Sequence, residues 1–291
     1  MRHQQDNSVA GNGNGNGSPD GRHPNEKPRF IRTRPVTSPR VSVVIPTLNE
    51  AANLPHVLTR LPDVYEVVLV DGHSTDSTVE VARTLRPDVR VILQDGKGKG
   101  NALACGFAAA RGDIIVMLDA DGSTDPAEIP AYLAPLLQGA DFAKGSRFTQ
   151  GGHSHDITRL RALGNRLLSG TVNLLFGTRY TDLCYGYNAF WVDCLPHLNV
   201  TCDGFEVETL INVRAAKAGL RVAEVPSVEH ERLHGESKLN AWRDGRRVLR
   251  VILRERFRSA ERSAMPDAWR PQFRELHPEM AEAGTEAEPV V

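Results

Sequence analysis

Apolar runs and short helical stretches alternate along the first half of the chain. Val41-Ser42-Val43-Val44-Ile45 is rich in β-branched residues and is stopped by Pro46, which predicts a strand. Thr47-Leu48-Asn49-Glu50 follows, with Asn49 placed to cap the next helix. Glu66-Val67-Val68-Leu69-Val70-Asp71 is a second apolar run, and it ends in a carboxylate. Ser77 and Glu80 have the spacing of a capping box for a helix that runs to about Leu85. Val89 to Leu93 predicts a short third strand, Ala102 to Arg111 a small-residue helix, and Ile114 to Leu118 a fully buried strand. This alternation of β and α predicts a parallel, Rossmann-like sheet flanked by helices.

The second half is less regular. Pro126 opens a helix, and Ala140 to Phe148 predicts a short strand and a turn that carries Arg147. Residues 159–177 read as a helix with Leu160, Leu163, Leu167 and Leu174 on one side. That side either packs on the sheet or lies at a lipid interface. Asp203 to Ala218 predicts a helix stopped by Gly219, and Leu220 to Val225 the last strand. After Trp242 a basic helix is expected, with Arg243, Arg247, Arg250, Arg254 and Arg258 in one arc and Val248, Leu249 and Ile252 opposite. It is either a solvated helix packed on the domain or one attracted to anionic lipid.

Gly11 to Gly17 alternates Gly and Asn, so residues 1–38 are expected to form a disordered arm. Residues 39–240 then form one domain, 241–263 the basic helix and 264–291 a disordered acidic tail. A net charge of −1 argues against a nucleic-acid partner. Cys105, Cys184, Cys194 and Cys202 lack metal-site spacing and read as free thiols, with Cys194 and Cys202 the one pair worth testing as a disulfide. No secretory h-region and no bilayer-spanning apolar stretch is visible, so the expected place of work is the cytoplasm or a membrane's cytoplasmic face.

Three polar stretches carry candidate chemistry. Strand 114–118 runs into Asp119-Ala120-Asp121-Gly122-Ser123. Two acids at i and i+2 on extended backbone point the same way and suit a hard divalent cation that holds a diphosphate. The alternative is an acidic turn, because Asp-Gly is a common turn pair. Asp95-Gly96-Lys97-Gly98-Lys99-Gly100-Asn101 is no Walker A loop; it is either a basic turn or a source of a phosphate-binding cation. His153 and His155 are either metal ligands or polar filler of a Gly-rich loop.

Taken together, VSVVIPTLNE, EVVLVDGHSTDST, GKGNALACGFAAARGDIIVMLDADGS, KGSRF, GFEVETLINVRAAKAGLRVAEVP and RLHGESKL follow one another between about Arg40 and Asn240. In this order they resemble family 2 glycosyltransferases of the GT-A fold, and within them the dolichyl- or polyprenyl-phosphate sugar synthases. The resemblance implies an α/β, mostly parallel sheet in a single domain. It also implies transfer of a hexose from GDP-mannose or UDP-glucose type donors to a polyprenyl phosphate, with an anionic membrane surface as a further contact. Pro46, Thr47, Asn49 and Glu50 would line the nucleotide pocket, Asp71 would meet base or ribose, and Lys99 base or diphosphate. Asp119 and Asp121 would hold Mg²⁺ or Mn²⁺, while Arg147, Arg232, Ser237 and Lys238 would bind phosphates. Many mannose synthases carry Gln where Ser123 stands, and many relatives carry C-terminal transmembrane helices that this sequence lacks.

A phosphate monoester has a second pKa of about 6, so such an acceptor needs no strong base. Glu206 and Glu208 lie where relatives that glycosylate hydroxyls keep their base. On a helix i and i+2 do not share a face, so one of them points into the site, and Glu206 is the expected one. Asp121, Arg147 and Glu206 are thus the expected catalytic side chains. Two other functions compete with the synthase: transfer to a soluble hydroxyl acceptor, and a non-catalytic nucleotide-sugar-binding protein.

Overall fold

The computed structural model describes residues 37–235 and 241–258, all of which fall in one compact unit. β1 (Val41–Thr47), β2 (Glu66–Asp71), β3 (Arg90–Leu93) and β4 (Ile114–Met117) alternate with α1 (Leu54–Leu58), α2 (Thr78–Leu85) and α3 (Gly98–Ala109). After them come α4 (Ile129–Leu137), β5 (Phe142–Ser146), β6 (His153–Ser154), α5 (Arg159–Phe176) and β7 (Asn188–Trp191). The chain continues through α6 (Leu195–Leu198), α7 (Val207–Lys217), β8 (Val222–Pro226), β9 (Val228–Glu229) and α8 (Ala241–Phe257).

Seven strands form one sheet in the order β3-β2-β1-β4-β7-β5-β8. All pairs are parallel except those of β7, which runs antiparallel to both β4 and β5. The expected α/β, mostly parallel architecture is therefore present. β1, β2 and β4 are buried almost throughout, as strands covered by helices on both faces must be. Pro46 does not stop β1, which pairs on through Pro46↔Val70 and Thr47↔Asp71. By then the ladder to β4 has ended at Val44↔Met117, so the missing N–H of Pro46 breaks no bond on that side. The sheet reverses direction around β1 and β4, and ligands in such sheets bind beyond the carboxyl ends of the strands.

Several local expectations are corrected. Ser77 precedes α2 without a side-chain capping bond, and Asp76 instead accepts from the Thr78 N–H at 3.0 Å. Asn49 caps no helix. It sits at φ +58°, and its Oδ1 accepts from Thr75 N–H at 2.7 Å, tying β1's exit to β2's. α3 begins at Gly98, four residues before Ala102, because that first turn docks on residues 202–203. Gly100 N–H donates to Asp203 O at 2.9 Å, and a Cβ at Gly98 or Gly100 would collide with the backbone carbonyls of Asp203 and Cys202. None of the four cysteines is in a disulfide, which removes the Cys194–Cys202 bridge. Most of the 1–38 arm and all of the 264–291 tail lie outside the described residues, as do Ser237 and Lys238.

Candidate active site

Leu118 N–H donates to Val44 O at 3.1 Å, the last sheet-like bond before the chain turns through Asp119 to Ser123. Gly122 takes φ +77° in that turn. Ser123 donates from both its N–H (3.0 Å) and its Oγ (2.7 Å) to Asp121 Oδ1, which orients that carboxylate. Ser123 thus acts on Asp121 through two hydrogen bonds.

Each acid meets a cation. Lys99 Nζ lies 2.6 Å from Asp119 Oδ1 and 2.8 Å from Glu208 Oε1. Burial works against the Lys99 ammonium, but Asp119 and Glu208 outweigh it and hold its pKa above the ordinary lysine value. Burial pushes the Glu208 carboxyl up, and the pull of Lys99 does not cancel that rise. Gly186 closes the cluster from the far side. A Cβ there would lie 2.8 Å from Lys99 Nζ and 2.9 Å from Asp119 Oδ2, so any larger residue would have to push these side chains aside. Asp121 Oδ2 accepts from Arg232 Nη2 at 2.7 Å, and Arg232 Nη1 donates to Glu50 Oε1 at 3.1 Å. Arg232 therefore ties the exit of β1 to the acidic turn.

These residues floor a cavity of about 1500 Å³. One end is walled by Thr47, Gly72, His73 and Gln94 at the tips of β1, β2 and β3. The other is lipped by Leu160, Leu163 and Leu167 of α5 and Trp242 and Leu249 of α8. Pro46, Thr47, Glu50, Lys99, Asp119, Asp121, Arg147 and Arg232 all line it. Asn49 and Asp71 are not part of the wall. Asp71 is buried beneath it, with Oδ2 accepting from Ser74 N–H at 3.0 Å and Oδ1 buried without a partner.

Two expected roles change. Arg147 is buried and already committed. Its Nε and Nη2 donate to Asp182 at 2.7 and 3.0 Å, and its Nη1 donates to Glu229 at 3.0 Å. With its planar fork spent on two internal carboxylates and its face on the Tyr185 ring at 4.8 Å, it braces the cavity wall; it is no free phosphate ligand. Burial opposes its charge, but Asp182 and Glu229 more than reverse this and raise its pKa. Glu206 sits at the N-cap of α7, off the cavity wall, with Oε2 buried and unpartnered. Glu208, one step further round the helix, is the carboxylate that reaches the site.

Asp119 and Asp121 offer oxygen donors only, which suits Mg²⁺ or Mn²⁺. Among the described residues no group of three side chains could hold a metal alone. Two carboxylates completed by phosphate oxygens of a substrate are the usual arrangement for Mg²⁺, so the residues present fit. His153 and His155 do not line this cavity. Their rings pack edge to face at 4.6 Å, and His155 stacks on His230 at 5.9 Å.

The lip departs most from an ordinary globular surface. α5 buries Asn165, Ser169 and Val172 and turns its leucines outward. Leu160, Leu163, Leu167 and Leu174 are 60, 55, 64 and 85% exposed. Of the two alternatives for this stripe, packing on the sheet does not occur. Asn165 Oδ1 accepts from the N–H groups of Leu183 and Cys184, each at 3.1 Å, while its Nδ2 is buried without a partner. α8 packs through Val248, Val251 and Ile252, and through Glu255, which lies 2.8 Å from Arg214 and 2.9 Å from Lys217 of α7. Its other side exposes Trp242, Leu249, Leu253 and Phe257 among arginines. Among the described residues no helix is long and apolar enough to cross a membrane.

The comparisons agree with this geometry. The family model described as Glycosyl transferase family 2 matches residues 42–195. Glycosyltransferase AglJ of Haloferax volcanii is 31% identical over 229 residues, which cover 77% of this chain and 73% of that protein. Undecaprenyl-phosphate mannosyltransferase of Micrococcus luteus is 34% identical over 225 residues, 73% of this chain and 92% of the relative. Among solved structures, glucosyl-3-phosphoglycerate synthase of Mycobacterium tuberculosis, in complex with Mn²⁺, UDP and glucosyl-3-phosphoglycerate, aligns with a TM-score of 0.61 at 26% identity. That alignment covers 75% of this chain and 80% of that one. A parallel sheet whose fourth strand ends in an Asp-Ala-Asp turn, the family match and these relatives lead to one conclusion: the chain belongs to glycosyl transferase family 2 and is a glycosyltransferase.

Proposed function

We propose that this enzyme moves a hexose from a nucleoside-diphosphate sugar to a polyprenyl phosphate at a membrane surface. The observation that carries the reading is α5. Its leucines face outward at the lip of the cavity that holds Asp119 and Asp121 on its floor. Apolar surface left open beside a polar site marks a place where something apolar docks. An isoprenoid tail and the membrane it sits in have that chemistry, and the arginines of α8 suit anionic headgroups. The printed name of the Micrococcus luteus relative, an undecaprenyl-phosphate mannosyltransferase, points the same way.

The acceptor phosphate attacks the anomeric carbon of the sugar as the bond to the nucleoside diphosphate breaks, with inversion in a single displacement. No general base is required, because the phosphate is largely dianionic near neutral pH. Asp119 and Asp121 would hold Mg²⁺ or Mn²⁺, which when bound neutralises charge on the departing diphosphate. Lys99, steered by Glu208, supplies a fixed positive charge in a partly dry site, where it acts more strongly than in water. Arg232 adds a second cation from the opposite side. At the α5 end, Arg161, which pairs with Asp156 at 3.2 Å, is a donor for the acceptor phosphate.

The likeness to glucosyl-3-phosphoglycerate synthase favours a second reading, in which the acceptor is a small soluble phosphate ester. One assay separates the two. Purified protein with Mn²⁺ or Mg²⁺ is given labelled GDP- and UDP-sugars and either a short polyprenyl phosphate or phosphoglycerate. Label in the lipid phase is the expected result. Label only in the aqueous phosphoglycerate product would overturn the membrane reading.

A further inference from the structure

The geometry points to His73 as the side chain that reads the nucleobase of the donor. The inference rests on the proposal that the donor is a nucleoside-diphosphate sugar. His73 follows β2 and takes φ +62°, a left-handed conformation that costs every residue but glycine free energy. A strained non-glycine residue on a cavity wall is retained when its side chain is needed there. The ring is held as well as strained. Its Nε2 lies 3.1 Å from Gln94 O, and a carbonyl can only accept, so Nε2 carries the proton. In the neutral ring Nδ1 is then an acceptor. Among the described residues no hydrogen bond uses it.

The position of His73 fixes what it meets. The diphosphate belongs at Asp119, Asp121 and Lys99, near the middle of the cavity. One way out leads to the lip of α5 and α8, where leucines alternate with Arg161 and the arginines of α8, the end taken by the proposed acceptor. The other leads over the tips of β1, β2 and β3, where Gly72, His73 and Gln94 form the wall. That wall is drawn tight: Gly72 N–H donates to Thr47 O at 2.7 Å, and a Cβ on Gly72 would lie 3.2 Å from both Thr47 O and Gln94 Oε1. Gln94 Nε2 is spent on Gly96 O at 2.8 Å, so the side-chain acceptors this wall offers a base are the imidazole Nδ1 of His73 and the amide oxygen of Gln94. Uracil and guanine carry a ring N–H beside a carbonyl. Cytosine and adenine carry a bare ring nitrogen in the same place and can offer an acceptor only the neighbouring exocyclic amino group. His73 therefore selects uracil or guanine donors over cytosine or adenine ones.

The test compares the wild-type protein with His73→Gly and His73→Ala. Both remove the imidazole, but only glycine relieves the backbone. Thermal midpoints and calorimetric affinities for UDP, GDP, CDP and ADP are measured with Mn²⁺ present. His73→Gly should melt about 3 °C above His73→Ala. Both variants should bind the preferred diphosphate about tenfold more weakly, the loss of one well-placed hydrogen bond, and should discriminate less against CDP and ADP. Variants that bind the preferred diphosphate within twofold of wild type, with discrimination intact, would overturn the role of His73 alone. A wild-type protein that binds none of the four would overturn both this role and the proposed donor class.

Discussion

The two ends of the cavity are built by opposite means. At the tips of β1, β2 and β3 nearly every polar group is tied to a neighbour: Asn49 to Thr75, Gly72 to Thr47, His73 to Gln94, Arg232 to Glu50 and Asp121. At the lip, the leucines of α5 and the Trp242, Leu249 and Phe257 side chains of α8 stand open, and α5 buries Asn165 and Ser169 instead. The first end is preorganised for a charged, rigid ligand that the protein must place accurately. The second gives up burial of its own apolar groups, which a single folded chain would otherwise hide. A helix can thus be amphipathic and yet face the wrong way for its own core, and the direction it faces carries functional information.

The largest effect belongs to the floor. Asp121→Ala should cut transfer by about a thousandfold or more, measured as steady-state turnover with Mn²⁺. Turnover above a tenth of wild type would mean that the acidic turn is not the diphosphate site. Next comes the wall between the two ends. Arg147→Met strands Asp182 and Glu229 and should cost about 3–5 kcal/mol in chemical denaturation. Were Arg147 a phosphate ligand instead, acceptor affinity would fall while stability held.

That same pair sets an acid limit. Burial would raise the Asp182 carboxyl, but Arg147 outweighs it and holds the pKa below the ordinary value. The stability it contributes is present above about pH 4 and disappears as the pH falls through the lower folded value. Asp182→Asn should flatten that part of the acid-unfolding curve, and an unchanged curve would assign the acid sensitivity to other groups. A smaller effect separates the two glutamates of α7. Glu208→Gln should lower turnover about tenfold by loosening Lys99, while Glu206→Gln stays within about twofold of wild type. The reverse order would restore Glu206 to the site.

The lip should give the mildest kinetic effect. Leu174 and Phe257 lie off the cavity wall, so Leu174→Glu with Phe257→Glu should reduce flotation with anionic vesicles about tenfold. Turnover on a short water-soluble polyprenyl phosphate should hardly change. Unaltered flotation would leave the exposed stripe without a membrane role.

Strands β1, β2 and β4 were legible because a strand buried on both faces needs an unbroken apolar run, and each has one. β7 was not. Asn188-Ala189-Phe190-Trp191 is short, lacks β-branched residues and earns its place by pairing with β4 and β5, contacts no local pattern reports. The acidic turn, Lys99 and Arg232 were readable from motifs, since their chemistry is carried by residue type. The commitment of Arg147 was hidden, because Asp182 and Glu229 stand 35 and 82 residues away. Glu208 lost to Glu206 on helical phase alone: the first turn of α7 begins at Val207, which puts Glu206 at the cap. A glycine-rich start hid the first turn of α3, where docking on residues 202–203 overrides low helix propensity.

That docking also constrains how the protein is made. A ribosome that has released the chain through the acidic turn after β4 has released both aspartates and Lys99, but not Asp203, which seats the start of α3, nor Glu208, which steers the lysine. Arg232 emerges later still. The nascent chain therefore carries the acids of the site well before their partners, and the parallel core must wait for distant segments to close over it. Catalytic competence arrives late, after most of the fold has already been synthesised.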